Sequence, residues 1–293
     1  MELRVLRYFL MVAREENITK AAELLHITQP TLSRQLQQLE DELGVKLFQR
    51  GNHCIQLTED GMLLKRRAQD IVALADKAEK EFRHEKEAVT GELAIGSGET
   101  RSVQDLAEIM AMFQKENPGV QYDLYTANAD DIKERLERGL LDIGLLAEPV
   151  DISKYNFVRL QRREKWGVLV RKDSELAQKE VITPDDLVQV PLILVKRTLV
   201  QNELVNWFGE YYSQIHIVAT YNLINNAAVM VENNIGVALC FNLGNTYKNL
   251  CFVPLSPVVE TGAVIVWKKD QLVSKVAYRF IDFLKRYRTG NAF

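Results

Sequence analysis

Residues 28–37 gather side chains suited to reading DNA: Thr28, Gln29, Pro30, Thr31, Ser33, Arg34 and Gln37. Hydroxyls and amides exchange hydrogen bonds with base edges, while an arginine reaches guanine or phosphate. They act together only from one face of a rigid helix, and the apolar spacing provides that helix. Leu32, Leu36, Leu39 and Leu43 fall at i, i+4, i+7 and i+11, an inward stripe that leaves the polar set outside. Thr28 suits an N-cap, Pro30 forfeits no hydrogen bond in a first turn, and Gly44 stops the helix just past Leu43. Plain solvation would also produce such a face. Base readout is favoured because no acid lies between Glu23 and Glu40 or between Glu42 and Glu59, windows that hold His26, Arg34, Lys46, Arg50 and His53.

The elements that must position this helix are short and local. Leu3, Leu6, Leu10 and Ala13 mark a first amphipathic helix, and residues 19–25 a second with Thr19 as its N-cap. His26 and Ile27 leave only a tight turn before Thr28, which makes a helix-turn-helix. Residues 46–50 and 53–57 then read as two strands around Gly51-Asn52, a wing able to bring Arg50 to the DNA backbone or minor groove.

With these parts in place, residues 17–62 resemble the signature of LysR-type transcriptional regulators. The resemblance runs from Asn-Ile-Thr-Lys-Ala-Ala-Glu-Leu-Leu-His-Ile-Thr-Gln-Pro-Thr-Leu-Ser-Arg-Gln-Leu through Glu-Leu-Gly-Val-Lys-Leu-Phe-Gln-Arg to Leu-Thr-Glu-Asp-Gly. It implies that Gln29, Pro30, Ser33 and Arg34 face DNA. The wing departs from the pattern, with Gly51, Asn52 and His53 where members of the family often carry more arginine.

No Gly or Pro interrupts the chain between Gly61 and Gly91. Leu64, Ala68, Ile71, Ala75, Ala78 and Phe82 are spaced 4, 3, 4, 3 and 4, a heptad seam on a linker helix. Roughly 28 helical residues make a rod of about 40 Å, whose seam is buried either within the chain or, as favoured here, against a second copy. A two-fold homodimer presents two recognition helices and requires a roughly palindromic promoter site in double-stranded DNA. Thr90-Gly91 supplies a hinge.

Beyond it, strands at 93–96, 120–125, 142–147, 166–170, 192–195, 215–221, 237–240 and 263–267 alternate with helices at 102–115, 130–138, 201–212, 225–232 and 272–288. Such alternation yields mostly parallel sheets covered by helices, here in two lobes with crossings near Arg162 and Trp267. The pattern resembles the periplasmic-binding-protein-like effector domain of the same family. The fold expected is therefore α/β with an N-terminal winged helix-turn-helix, a long linker helix and a two-lobed effector domain. Its parts are a DNA-binding domain (1–58), a linker and hinge (59–91), lobe I (92–161 with 267–293) and lobe II (162–266).

Ligands in open α/β sheets bind beyond the carboxyl ends of the strands, where helix N-termini point. That singles out the segments holding Ser97, Thr100, Arg101, Asn128, Arg197, Thr198, Asn222 and Asn225, and the resemblance implies that they line an inter-lobe cleft. Arg101 and Arg197 suit an anionic effector, unless they serve as surface ion-pair partners. Asn234 stands where family members usually have glycine, and asparagine tolerates the left-handed backbone that a helix end needs. The resemblance further implies a tetramer built as a dimer of dimers, with effector binding altering DNA bending and contact with RNA polymerase.

Composition bounds the alternatives. The chain has 293 residues, 47% hydrophobic and 26% charged, with net charge −3, as expected of a globular protein, and Arg4, Arg7, Glu15 and Glu16 break any secretory pattern, so a cytoplasmic location is expected. No apolar run approaches the roughly 18 residues of a membrane span. No cofactor or metal is expected: there is no Walker A loop, nucleophile elbow or metal-ligand pattern, and Gly96-Ser97-Gly98 lacks the third glycine of a dinucleotide fingerprint. Two non-enzymatic competitors stand beside a regulator: a solute-binding protein for transport, disfavoured by the first 90 residues, and a DNA-binding protein whose second domain only oligomerises. Cys54, Cys240 and Cys251 read either as reduced thiols or, for the last two, as a redox pair.

Overall fold

The computed structural model describes residues 1–50, 55–82, 89–244, 247–269 and 273–290. Two compact units emerge, Met1–His84 and Glu85–Phe293.

The first unit holds α1 (Leu3–Glu15), α2 (Ile18–Leu24), α3 (Gln29–Leu43), β1 (Phe48–Arg50), β2 (Ile55–Leu57) and α4 (Glu59–Phe82). Its core joins Leu6, Phe9 and Val12 of α1 to Ala21 and Ala22 of α2 and to Leu32, Leu36 and Leu39 of α3. Leu43, the fourth member of the stripe, is exposed. The cap of α2 is Asn17, whose side chain accepts from the Lys20 N–H at 3.0 Å, and not Thr19, which lies inside the helix. Thr28 caps α3, and Gly44 ends it with φ of 69°.

The seam of α4 needs correction. Ala68 is wholly buried and Leu64 and Val72 pack in the same cluster, so this face serves the chain's own core. Helix α1 lies along α4, tied by an Arg7–Asp76 ion pair. Exposed apolar residues of α4 include Leu63, Ile71 and Leu74, joined by Ala78, which fall on a neighbouring face. Periodicity alone cannot distinguish two apolar faces of one helix when one is already covered. Ala75 is half-buried, and the Phe82 side chain lies outside the described residues.

The second unit opens with β3 (Gly91–Ser97), α5 (Val103–Glu116), β4 (Val120–Thr126), α6 (Ala129–Glu137), β5 (Ile143–Ala147), β6 (Tyr155–Arg159), β7 (Glu164–Arg171) and β8 (Pro191–Val195). It continues with α7 (Thr198–Phe208), β9 (His216–Tyr221), α8 (Ile224–Glu232), β10 (Val237–Phe241), β11 (Leu250–Pro254), β12 (Glu260–Thr261), β13 (Ala263–Lys268) and α9 (Lys275–Gly290). One sheet has the order β4-β3-β5-β13-β6 and the other β11-β7-β10-β8-β9, with β12 beside β7.

Each sheet combines a parallel run (β4-β3-β5; β9-β8-β10) with antiparallel additions, so the sheets are mixed and not mostly parallel. Alternation of side chains explains the layers. Leu93, Ile95, Ile143, Leu145 and Ile265 face α5 and α9, while Ala94, Leu146, Val264 and Val266 face α6. In the second sheet Trp166, Val168 and Leu194 face α7, whereas Leu169, Ile193 and Ala238 face α8. Asn234, just past α8, takes the left-handed φ of 59°.

The chain passes to the second sheet between Arg159 and Glu164 and returns at Gly262, since Thr261 pairs with β7 and Ala263 with β5. The boundary drawn near Trp267 is therefore too late: Ala263–Lys268 belongs to the first lobe. No turn residue marks the return beyond Gly262, where a Cβ would sit 2.2 Å from Glu148 Oε2.

Glu164 secures this crossing. It is fully buried in the second lobe's β7, yet its carboxylate accepts from the Ser102 N–H (2.8 Å), the Ser102 hydroxyl (2.5 Å) and the Arg101 N–H (3.1 Å) at the N-terminus of α5. Removing it orphans buried donors, each costing about 1–3 kcal/mol. Glu164→Ala should lower stability by more than about 2 kcal/mol in urea unfolding, with Glu164→Gln losing less. Equal stability of all three proteins would show that the contact carries no weight.

Candidate functional site

The reading face of α3 is exposed at Thr28, Gln29, Pro30, Thr31, Arg34 and Gln37 and half-buried at Ser33. Thr28 Oγ1 accepts from the Thr31 N–H at 3.4 Å and lies 2.8 Å from Thr31 Oγ1, so the first turn is locally satisfied. Gln37 Nε2 donates to Asp41 Oδ1 at 2.8 Å. These bonds are solvent-exposed. Arg50 ends β1, while its side chain and the turn at 51–54 lie outside the described residues, as does Cys54.

One residue overlooked in the sequence fastens the wing to the reading helix. Glu40, on the core side of α3, accepts from the Leu47 N–H (2.8 Å) and the Phe48 N–H (3.2 Å) and pairs with Lys46 Nζ (2.8 Å). Burial pushes its carboxyl upward, but the bonds from Lys46, Leu47 and Phe48 prevail and hold it below its ordinary value. The Ile55 N–H donates to the Glu16 carbonyl at 3.1 Å, anchoring β2 to the end of α1. The angle between wing and helix is thereby set before any DNA arrives.

In the second unit, the predicted cleft residues divide into several groups. Asn128 is spent as the cap of α6, accepting from Asp130 N (2.9 Å) and Asp131 N (3.0 Å). Ser97 is buried, its hydroxyl donating to the Gly98 carbonyl at 2.9 Å. Asn222 is exposed, and Thr198 heads α7 with its side chain outside the described residues. Thr100 Oγ1 is buried with no hydrogen-bond partner.

Arg101 and Arg197 do not form a matched pair. Arg101 is exposed, whereas Arg197 is 7% exposed and donates across the lobes to the carbonyls of Pro149 (2.9 Å) and Ala147 (3.5 Å). Its Nε makes no hydrogen bond and lies 3.6 Å from Asp130 Oδ2. Burial lowers its pKa, opposed by the nearby Asp130 carboxylate. Glu203 keeps a buried, unpartnered Oε2, and burial raises its pKa against the pull of Arg197. Asn225 Nδ2 donates to Glu99 Oε1 at 2.8 Å, and the Ile224 N–H donates to the same carboxylate. Glu99, Asp130, Glu164 and Glu203 carried no signal in the apolar pattern, because each is defined by a partner distant in sequence.

The disulfide reading fails. Cys240 in β10 lies opposite Gly167, and Cys251 in β11 opposite Val170, on the two sides of β7. Two strand spacings of about 4.8 Å and an offset of three residues along β7, from Gly167 to Val170, put them more than roughly 10 Å apart, beyond the roughly 7 Å Cα limit for bridging. Burial also pushes the Cys240 thiol up to about 12, which leaves it unreactive. Among the described residues no cluster of His, Cys, Asp or Glu could hold a metal, and no helix is long and apolar enough to cross a membrane.

A winged helix-turn-helix in one unit and, in the other, two α/β lobes with polar groups converging between them define a class, the ligand-binding DNA regulators. Residues 3–62 match the model of the bacterial regulatory helix-turn-helix protein, lysR family, and residues 86–289 match the LysR substrate binding domain. The Hca operon transcriptional activator HcaR of Escherichia coli (strain K12) is 30% identical over 280 residues, covering 93% of each chain. The regulator AlsR of Bacillus subtilis (strain 168) is 30% identical over 280 residues, covering 92% of this chain and 91% of its own. Among solved structures, full-length CbnR complexed with its target DNA superposes with a TM-score of 0.77 at 22% identity, covering 98% of this chain and 99% of that one. Full-length BenM gives a TM-score of 0.53 at 25% identity, over 100% and 98%. The chain belongs to the LysR family of bacterial transcriptional regulators, with a DNA-binding helix-turn-helix and an effector-binding domain.

The Glu40 tie has a definite pH signature. A carboxylate whose folded pKa is depressed stabilises the fold above its unfolded value of about 4.3, and that stability is lost as pH falls through the folded value. Glu40→Gln should therefore cost about 1–3 kcal/mol at pH 7, and the gap from wild type should close on acidification. A gap that stays constant with pH, followed by chemical denaturation, would show that the charge on Glu40 is irrelevant.

Proposed function

We propose that this chain is a cytoplasmic regulator, without enzymatic activity, that reads a roughly palindromic promoter site as a homodimer and assembles as a dimer of dimers. Thr28, Gln29, Pro30, Thr31, Ser33, Arg34 and Gln37 meet the major groove, and Arg50 meets backbone phosphate. The reading rests on one observation above others: α3 buries Leu32, Leu36 and Leu39 while its outer face from Thr28, its N-cap, to Gln37 is polar and carries no acid, the first being Asp41 beyond it. That CbnR has been crystallised with its target DNA supports it.

Self-association uses the exposed Leu63, Ile71, Leu74 and Ala78 face of α4 in place of the face bearing Leu64 and Ala68. A small anionic effector enters between the lobes beside Thr100, Arg197 and Asn225, with Ser97, Arg101, Asn128, Thr198 and Asn222 forming the surrounding wall. Its differential affinity for two lobe arrangements shifts DNA bending and contact with RNA polymerase.

Ser33→Ala and Arg34→Ala should each weaken specific binding, by about 1–3 kcal/mol for a base contact, in fluorescence anisotropy on a footprinted site. Unchanged affinity in both variants would place the reading face elsewhere.

A further inference from the structure

The loop after β3 carries a carboxylate that the established family features leave without a role. Glu99 belongs to the first lobe, but its two oxygens sit at the N-terminus of α8 in the second, accepting from the Ile224 N–H and from Asn225 Nδ2 at 2.8 Å. Helix α8 has nine residues and no side-chain cap of its own: its N-cap is Leu223. Unpaired N–H groups and the helix dipole make that end a seat for an anion, and here the seat is filled from across the cleft. Asn225 is held in turn, its Oδ1 accepting from the Tyr247 hydroxyl at 3.3 Å.

The neighbouring helix starts sharpen the point. The N-terminus of α5 is closed by the buried Glu164, and that of α6 by Asn128. Meanwhile Thr100 Oγ1, next in the chain to Glu99, and Arg197 Nε, in a side chain only 6% exposed, are buried without hydrogen-bond partners. Buried polar groups left unsatisfied in a folded protein point to a missing partner. The anion seat on α8 is thus occupied by the chain itself, and the residue next to Glu99 keeps a buried hydroxyl without a partner, while Arg197 Nε has Asp130 Oδ2 at 3.6 Å and Glu203 Oε2 is an unpartnered acceptor.

We propose that Glu99 is a built-in anion that latches the lobes, and that the carboxylate or other anionic group of the effector acts by taking its seat on Ile224 N–H and Asn225. This rests on the reading that the effector enters the inter-lobe cleft, and it adds how entry becomes movement. Displacing Glu99 cuts a tie between lobes, so effector binding and lobe release become one event. While the latch is closed, the apparent affinity for the effector is reduced by the fraction of molecules latched.

Acetate serves as the probe, with full-length protein at constant ionic strength and acetamide as control. Glu99→Ala vacates the seat, and saturating acetate should raise the Tm of the variant by about 2–4 °C, with no rise from acetamide and none in wild type. Acetate refills the seat without tethering the lobes. The DNA footprint of Glu99→Ala should therefore differ from wild type and stay different when acetate restores its Tm. Should Glu99→Ala fail to fold, Glu99→Ser, which keeps a polar group but is too short to span to α8, takes the same titration. No acetate-specific shift in the variant, an equal shift in wild type, or a footprint identical to wild type would each overturn the latch. Such a failure with DNA binding intact removes the latch alone, whereas loss of specific DNA binding by wild type would undo the regulator reading itself.

Discussion

The two lobes of the second unit exchange carboxylates, and much else depends on that exchange. Glu164 leaves its own sheet to close the N-terminus of α5 in the first lobe, and Glu99 leaves the first lobe to close the N-terminus of α8 in the second. A helix end needs acceptors for its first N–H groups, so each lobe is incomplete without the other. The two contacts differ in kind. Glu164 is sealed, with donors on both oxygens, and suits a fixed pivot beside the crossing of the chain. Glu99 is only partly covered and bonds to an exposed asparagine, which suits a contact that opens. A pivot and a releasable tie at separate points are the minimum for one lobe to turn on another.

A parallel economy governs the DNA-binding unit. Glu40 turns away from the reading face and spends its charge on the first wing residues, so that α3 and β1 move as one body. Preorganisation of this kind reduces the conformational entropy lost on binding. On the proposed reading, a helix with a single arginine among residues 28–37 relies on the placement of its hydroxyls and amides more than on charge.

Local features were legible in the residues themselves. Thr28, Pro30 and Gly44 bound α3 because caps and stops act within a turn, and Leu32, Leu36 and Leu39 point inward because the stripe follows the helical period. Legibility failed where a partner was needed to choose among equals. Both faces of α4 are apolar, and only the position of α1 reveals that Ala68 is already buried. Strands β6 and β11 carry mixed patterns, Tyr-Asn-Phe-Val-Arg and Leu-Cys-Phe-Val-Pro, whose extended form comes from pairing with β13 and β7. The candidate cleft was legible as a set of loops beyond strand ends, but not in its chemistry. Arg101 and Arg197 looked equivalent in sequence and differ in burial, and Glu99 owes its role to a helix more than a hundred residues away.

We propose that α3 and the linker together make a two-fold reader of one DNA sequence. Its most direct test is a gel-shift and footprint of the full-length chain on the DNA upstream of its own gene, with salt varied. A two-fold reader gives a discrete complex that resists competitor DNA, weakens as salt rises through counterion release, and protects two half-sites about one helical turn apart or a multiple of it. Absence of any specific complex at every salt concentration, with the protein folded and dimeric, and across a wider set of promoter fragments, would contradict it.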